Sequence, residues 1–145
     1  MGKFLYAAFS IRLKKIYKDI DALVPAMLTN NTMLVDRVRL AKLGMKLATD
    51  SFGEGLKFGN FITGKNIKID FPKRKIMEDY LANIKVAQDV YNLKNNHRKS
   101  KLKRDRLDKQ RELIFGEYVN GIKRAIRGMV TNAGHLGQVM VVKHG

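Results

Sequence analysis

The sequence predicts a mainly α protein: a small bundle of about four helices, with a minor β-hairpin over about residues 56–71 and a short C-terminal strand. Three observations predict it. Apolar residues recur at helical spacing in four long stretches. Between the second and third, Asn66-Ile67-Lys68-Ile69-Asp70-Phe71 alternates strictly with period two, which is a strand signal. Near the end, Val139-Met140-Val141-Val142 is an apolar run able to add a strand to the hairpin or to a neighbouring subunit.

The first helix is predicted from about Lys3 to Leu23, on the stripe Leu5, Phe9, Leu13, Ile16, Ile20 and Leu23. Lys14, Lys15 and Lys18 fall on its opposite face. Pro25, preceded by Val24, is expected to end it. The plain reading is a helix packed on its own domain, because amphipathicity is normal for surface helices. A basic amphipathic helix can also lie on lipid or dock on another subunit.

Thr32 is placed to cap a second helix from Met33 to about Asp50. It carries two apolar stripes. Leu34, Val38, Ala41, Met45 and Ala48 form one; Leu40, Leu43 and Leu47 form the other. Arg39, Lys42 and Lys46 make a basic ridge between them. Such a helix is either central in its bundle or touches a second subunit.

Gly53, Gly55, Gly59 and Gly64 then read as helix breakers. Phe58 to Thr63 is the expected hairpin partner of residues 66–71, across Gly64-Lys65, and Pro72 closes the hairpin. A third helix is predicted from about Lys75 to Leu93, on Ile76, Tyr80, Ile84, Ala87 and Tyr91, with a break at Asn95-Asn96. Glu78 and Asp79 are read into its first turn, where acids suit the dipole. The fourth helix runs from about Ser100 to Val130, polar in its first half and apolar in its second. Gly116 and Gly121 are candidates for close helix packing, and Asn132-Ala133-Gly134 is expected to end the helix. The third and fourth helices should pair antiparallel. The organisation expected is a single basic helical domain over 1–145, with a basic helical spur at about 94–111 and a tail at 133–145.

Charge carries the functional expectation. The 145 residues hold 29 Lys and Arg against 13 Asp and Glu, a formal net charge of +16. The excess is uneven: residues 94–145 hold 13 cations and four acids. Ten of the 14 residues from Arg98 to Arg111 are charged, eight of them basic. Ordinary solvated helices mix the signs more evenly. Cations spread over four helical turns match a phosphate-lined surface. The candidate nucleic-acid contacts are Lys94, Arg98, Lys99, Lys101, Lys103, Arg104, Arg106, Lys109 and Arg111, with Lys73, Arg74 and Lys75 before the third helix and Arg39, Lys42 and Lys46 on the second. Such contacts position a phosphate backbone and read no sequence. Around the hairpin, Lys57, Lys65 and Lys68 interleave with Phe58, Phe61 and Phe71 as stacking platforms do. The aromatics are read as core.

Catalytic patterns fail their context. Gly59 to Asn66 resembles a phosphate-binding loop, but Asn66 stands where Ser or Thr would hold magnesium, and a strand signal follows instead of a helix. There is no Cys, and His97, His135 and His144 have no helical metal-pair spacing. Asp105 and Asp108 sit at salt-bridge spacing from neighbouring cations. The expectation is therefore a non-enzymatic, sequence-independent nucleic-acid-binding structural protein of a large assembly, of virion, nucleoid or ribonucleoprotein type, with no cofactor or metal. It would be a homo-oligomer or part of a larger assembly. The alternative is a viral or phage assembly or connector protein that works through protein contacts alone. No stretch has a signal-peptide pattern or the length of a membrane span, so an intracellular or virion-packaged protein is expected.

Overall fold

The computed structural model describes residues 2–28, 37–99 and 104–143. They form four helices: α1 Gly2–Met27, α2 Arg37–Thr63, α3 Lys73–Lys99 and α4 Arg104–Lys143. At 1.5 Å per residue, the 40-residue α4 spans about 60 Å and serves as the spine of the bundle. It packs on α1, α2 and α3, most extensively on α2. The core draws Ile16, Ile20 and Val24 from α1, Leu40, Leu47 and Phe52 from α2, and Ile76, Tyr80 and Ile84 from α3. From α4 come Tyr118, Ile122, Ile126, Met129 and Val130. With α1, α3 and α4 all against it, α2 is central, which accounts for its two apolar stripes.

The hairpin does not form, and no strand occurs among the described residues. Phe58 to Thr63 belongs to α2 instead. The helix survives Gly55 and Gly59 because they face α4, while Gly53 faces open space. A Cβ added at Gly55 would strike the Gly134 carbonyl, and one at Gly137 would come within 2.5 Å of the Phe52 carbonyl. Glycine costs a helix about 1 kcal/mol relative to Ala. Here close backbone approach offsets that cost. The buried Ser51 hydroxyl donates to the Val130 carbonyl at 2.7 Å across the same seam.

Gly64 then stops α2 with φ of +69°, the left-handed conformation that glycine adopts freely. The Lys65 N–H donates back to the Asn60 carbonyl at 3.1 Å, closing the end of the helix. Residues 65–72 leave in extended form. Their burial does alternate, with Ile67, Ile69 and Phe71 half-buried and Asn66, Lys68 and Asp70 exposed. The period-two signal thus reports an extended segment lying on helices, with Phe71 against Phe52 at 5.2 Å between ring centres. In place of a partner strand, the Asn60 side chain accepts from Ile67 N–H and donates to its carbonyl, both at 2.9 Å.

The expected C-terminal strand is also absent. Asn132-Ala133-Gly134 lies within α4, which continues to Lys143 because Ala133 and Val141 are fully buried. Gly121 makes only ordinary contact with Ala87, and Gly116 faces open space, so the close packing belongs to glycines further along. Pro25 lies inside α1: near a helix end it forfeits one backbone bond, and Leu28 N–H still reaches the Val24 carbonyl at 3.2 Å. Asn95-Asn96 does not interrupt α3, and Glu78 and Asp79 fall beyond its first turn. The expected Thr32 cap, with residues 33–36, lies outside the described residues. So does the predicted start of α4 at Ser100.

The antiparallel α3/α4 pairing forms as expected. Tyr91 stacks near Tyr118 at 4.4 Å, and Lys94 pairs with Glu117 at 2.7 Å. Three polar contacts fasten α1: Arg12 to Glu54 at 2.8 Å, Tyr17 to Thr131 at 2.6 Å, and Asp21 to Arg127.

Candidate nucleic-acid interface

The expected cations fall into three groups. Arg39, Lys42 and Lys46 are exposed on α2. Lys73, Arg74 and Lys75 are exposed in the first turn of α3. Of the third group, Arg98 and Lys99 fall in the last turn of α3, and Arg104, Arg106 and Arg111 near the start of α4. Lys101 and Lys103 lie outside the described residues. Lys109 is exposed, and Lys94 is occupied by Glu117.

The structure joins Lys46 of the first group to Lys73 and Arg74 of the second, while Arg39, Lys42 and Lys75 do not line the shared groove. The Tyr80 ring lies where a Cβ on Gly44 would be, which locks α3 against α2 in an antiparallel register. Beside this contact, the same register brings Met45, Lys46 and Thr49 of α2 opposite Met77, Lys73 and Arg74 of α3. The six residues line one open groove of about 600 Å³. Upstream, the Pro72 carbonyl accepts the first bond of α3 from Ile76 N–H at 3.4 Å, and Ile76, Tyr80 and Ile84 turn inward. That phase leaves Lys73 and Arg74 outside.

No acid lines this groove. Among the described residues, Arg12, Lys57, Lys94 and Arg127 each have a carboxylate partner, while Lys46, Lys73 and Arg74 have none. The first turn of α3 also contains no acid. Three cations therefore stand at the positive end of a helix dipole, each typically unfavourable by a few tenths of a kcal/mol. The helix dipole therefore does not stabilise that placement.

A second groove makes the contrast. Arg12, Lys15 and Lys57 share a cleft of about 480 Å³ with Asp19, Asp50 and Glu54, so its charge is internally balanced. The Gly59–Asn66 stretch is the carbonyl end of a helix, which repels phosphate and has no helix opening after it. Among the described residues no three His, Asp or Glu side chains gather as a metal site, and no helix is long and apolar enough to cross a membrane.

Sequence reasoning singled out the cations but missed Met45, Thr49 and Met77 as their floor. Met45 appeared only as a stripe member, because nothing local shows that two separate helices bring it and Met77 together. Of the aromatics, Phe58 and Phe71 are half-buried and Phe61 is exposed. Comparison with protein-family models, curated proteins and solved structures finds no match, so function is argued from these residues alone.

Proposed function

We propose that this chain is a non-enzymatic, sequence-independent nucleic-acid-binding structural protein of a large assembly, of virion, nucleoid or ribonucleoprotein type. The observation that carries the reading is the convergence of Lys46, Lys73 and Arg74 on one groove with no carboxylate among its lining. Fixed, uncompensated cations attract phosphate oxygens without reading bases. The strongly basic 98–111 stretch, with eight cations and two acids, extends the same chemistry.

Fluorescence anisotropy with arbitrary DNA and RNA tests the reading. Affinity should fall steeply between low and physiological salt. The Lys46→Glu, Lys73→Glu and Arg74→Glu changes should each flatten the salt slope by about 1. Absence of binding at low salt would reject the proposal.

A different surface favours the second reading, an assembly protein acting through protein contacts. Val86, Ala87, Val90 and Tyr91 of α3 and Ile114, Tyr118 and Ala125 of α4 line a groove of about 640 Å³, together with Asn83 and the charged Lys94, Glu117 and Arg124. Val86 is 63% exposed and Val90 48%. The segments that build this face, 81–94 and 112–125, hold four cations and three acids, in a chain of +16. A second copy of the chain would meet little like-charge repulsion here. The occupant this face fits is therefore a second copy.

A further inference from the structure

We infer that the α2/α3 groove seats one nucleotide of a single strand, its base on Met45 and Met77 and its phosphates between Lys46, Lys73 and Arg74. Single-stranded nucleic acid is then preferred to duplex. The inference rests on the nucleic-acid reading above and narrows it to one substrate form.

Phosphate binding alone requires only the cations. The groove also has an apolar floor, formed by two half-buried methionines from different helices. A duplex keeps its bases stacked inside and offers that floor nothing. A single strand can turn a base out onto it. The methionine thioether is polarizable and makes favourable contacts with π-systems, and every base presents a π-face. The stems of Lys46, Lys73 and Arg74 extend the apolar walls while their charged ends stay in water. Thr49 Oγ1 donates to the Met45 carbonyl at 2.7 Å, which commits its proton and leaves the oxygen able only to accept. A volume of about 600 Å³ admits a nucleotide.

Charge alone makes the opposite prediction. A duplex carries the denser phosphate array and a steeper salt slope than a single strand, so a purely electrostatic surface favours duplex. Anisotropy titrations of the full chain at matched salt, with one DNA oligomer single-stranded and annealed to its complement, separate the two. About tenfold tighter single-strand binding is expected, the value of burying roughly 60 Å² of apolar surface. A 2-aminopurine in the strand should change emission when its base leaves its stacked neighbours. Met77→Gln should abolish the preference and preserve the salt slope, Met77→Leu should retain both, and circular dichroism reports whether each variant is folded. Equal affinities with unchanged 2-aminopurine emission would overturn this inference and leave the nucleic-acid reading standing. A preference that survives in folded Met77→Gln would remove the groove from it. Binding to neither oligomer, or only to vesicles of anionic phospholipid, would overturn both.

Discussion

The Tyr80 side chain is fully buried, and its hydroxyl has no hydrogen-bond partner among the described residues. Its ring closes on Gly44 and so sets the register of the candidate groove, while the hydroxyl bears a desolvation cost. Burial pushes the phenol well above the usual tyrosine range, because the charged form would lose its water. The sign of the pH effect follows. Below about pH 10 the folded and unfolded chains both hold the proton, and Tyr80 contributes no pH dependence. Above it the unfolded chain ionises first, so stability falls by about 1.4 kcal/mol per pH unit. Tyr80→Phe keeps the ring and discards the hydroxyl. It should match or exceed the wild type by up to about 1 kcal/mol at pH 7 and lose this share of the alkaline decline. Urea denaturation at neutral pH and at two alkaline values checks both. An alkaline slope identical in the two proteins would mean that Tyr80 is not the group responsible.

At the level of elements, the α2/α4 seam decides which parts of the chain are helical. Gly55→Ala places a methyl on the Gly134 carbonyl and should cost about 1–3 kcal/mol in denaturant midpoint experiments. Gly53→Ala, two residues earlier and facing nothing within 4 Å, should instead gain up to about 1 kcal/mol through helix propensity. Equal effects would indicate that the two helices do not approach this closely. The same seam explains what the sequence concealed. The stripes through Ile16 and Ile20, Leu40 and Leu47, and Ile76, Tyr80 and Ile84 were legible because apolar burial follows the helical period wherever it occurs. Gly55 and Gly59 were misread as breakers because their helical state depends on residues about 80 positions away. Asn132 to Gly134 was misread as a stop for the reciprocal reason. The alternation at 66–71 was misread as a strand: burial does alternate there, but period two is silent on whether a strand or a helix lies beside it. At the site, charge made Lys46, Lys73 and Arg74 visible as three cations. Their convergence, and the methionines between them, depend on the Gly44–Tyr80 contact, which local patterning does not encode.

For the molecule as a whole, the cationic α2/α3 groove and the α3/α4 groove have separate linings, and salt should act on the two proposed interactions in opposite directions. The phosphate binding proposed for the α2/α3 groove should release counterions and weaken as salt rises. Association of two copies through the α3/α4 face must bring together chains of +16 each, and added salt screens that repulsion while leaving apolar burial in place. Sedimentation velocity across a salt series should therefore show self-association holding or strengthening under conditions where anisotropy shows nucleic acid being released. Val90→Asp places a carboxylate on the nearly half-exposed rim of that face, where the monomer tolerates it in water. Desolvating it between two copies should weaken the dimer at least about tenfold. Nucleic-acid affinity at the other groove should stay within about twofold for independent sites. A Val90→Asp protein that self-associates like the wild type would place the second copy elsewhere. Loss of self-association together with nucleic-acid binding would mean that the two faces act as one cooperative surface, with bound strands holding the copies side by side.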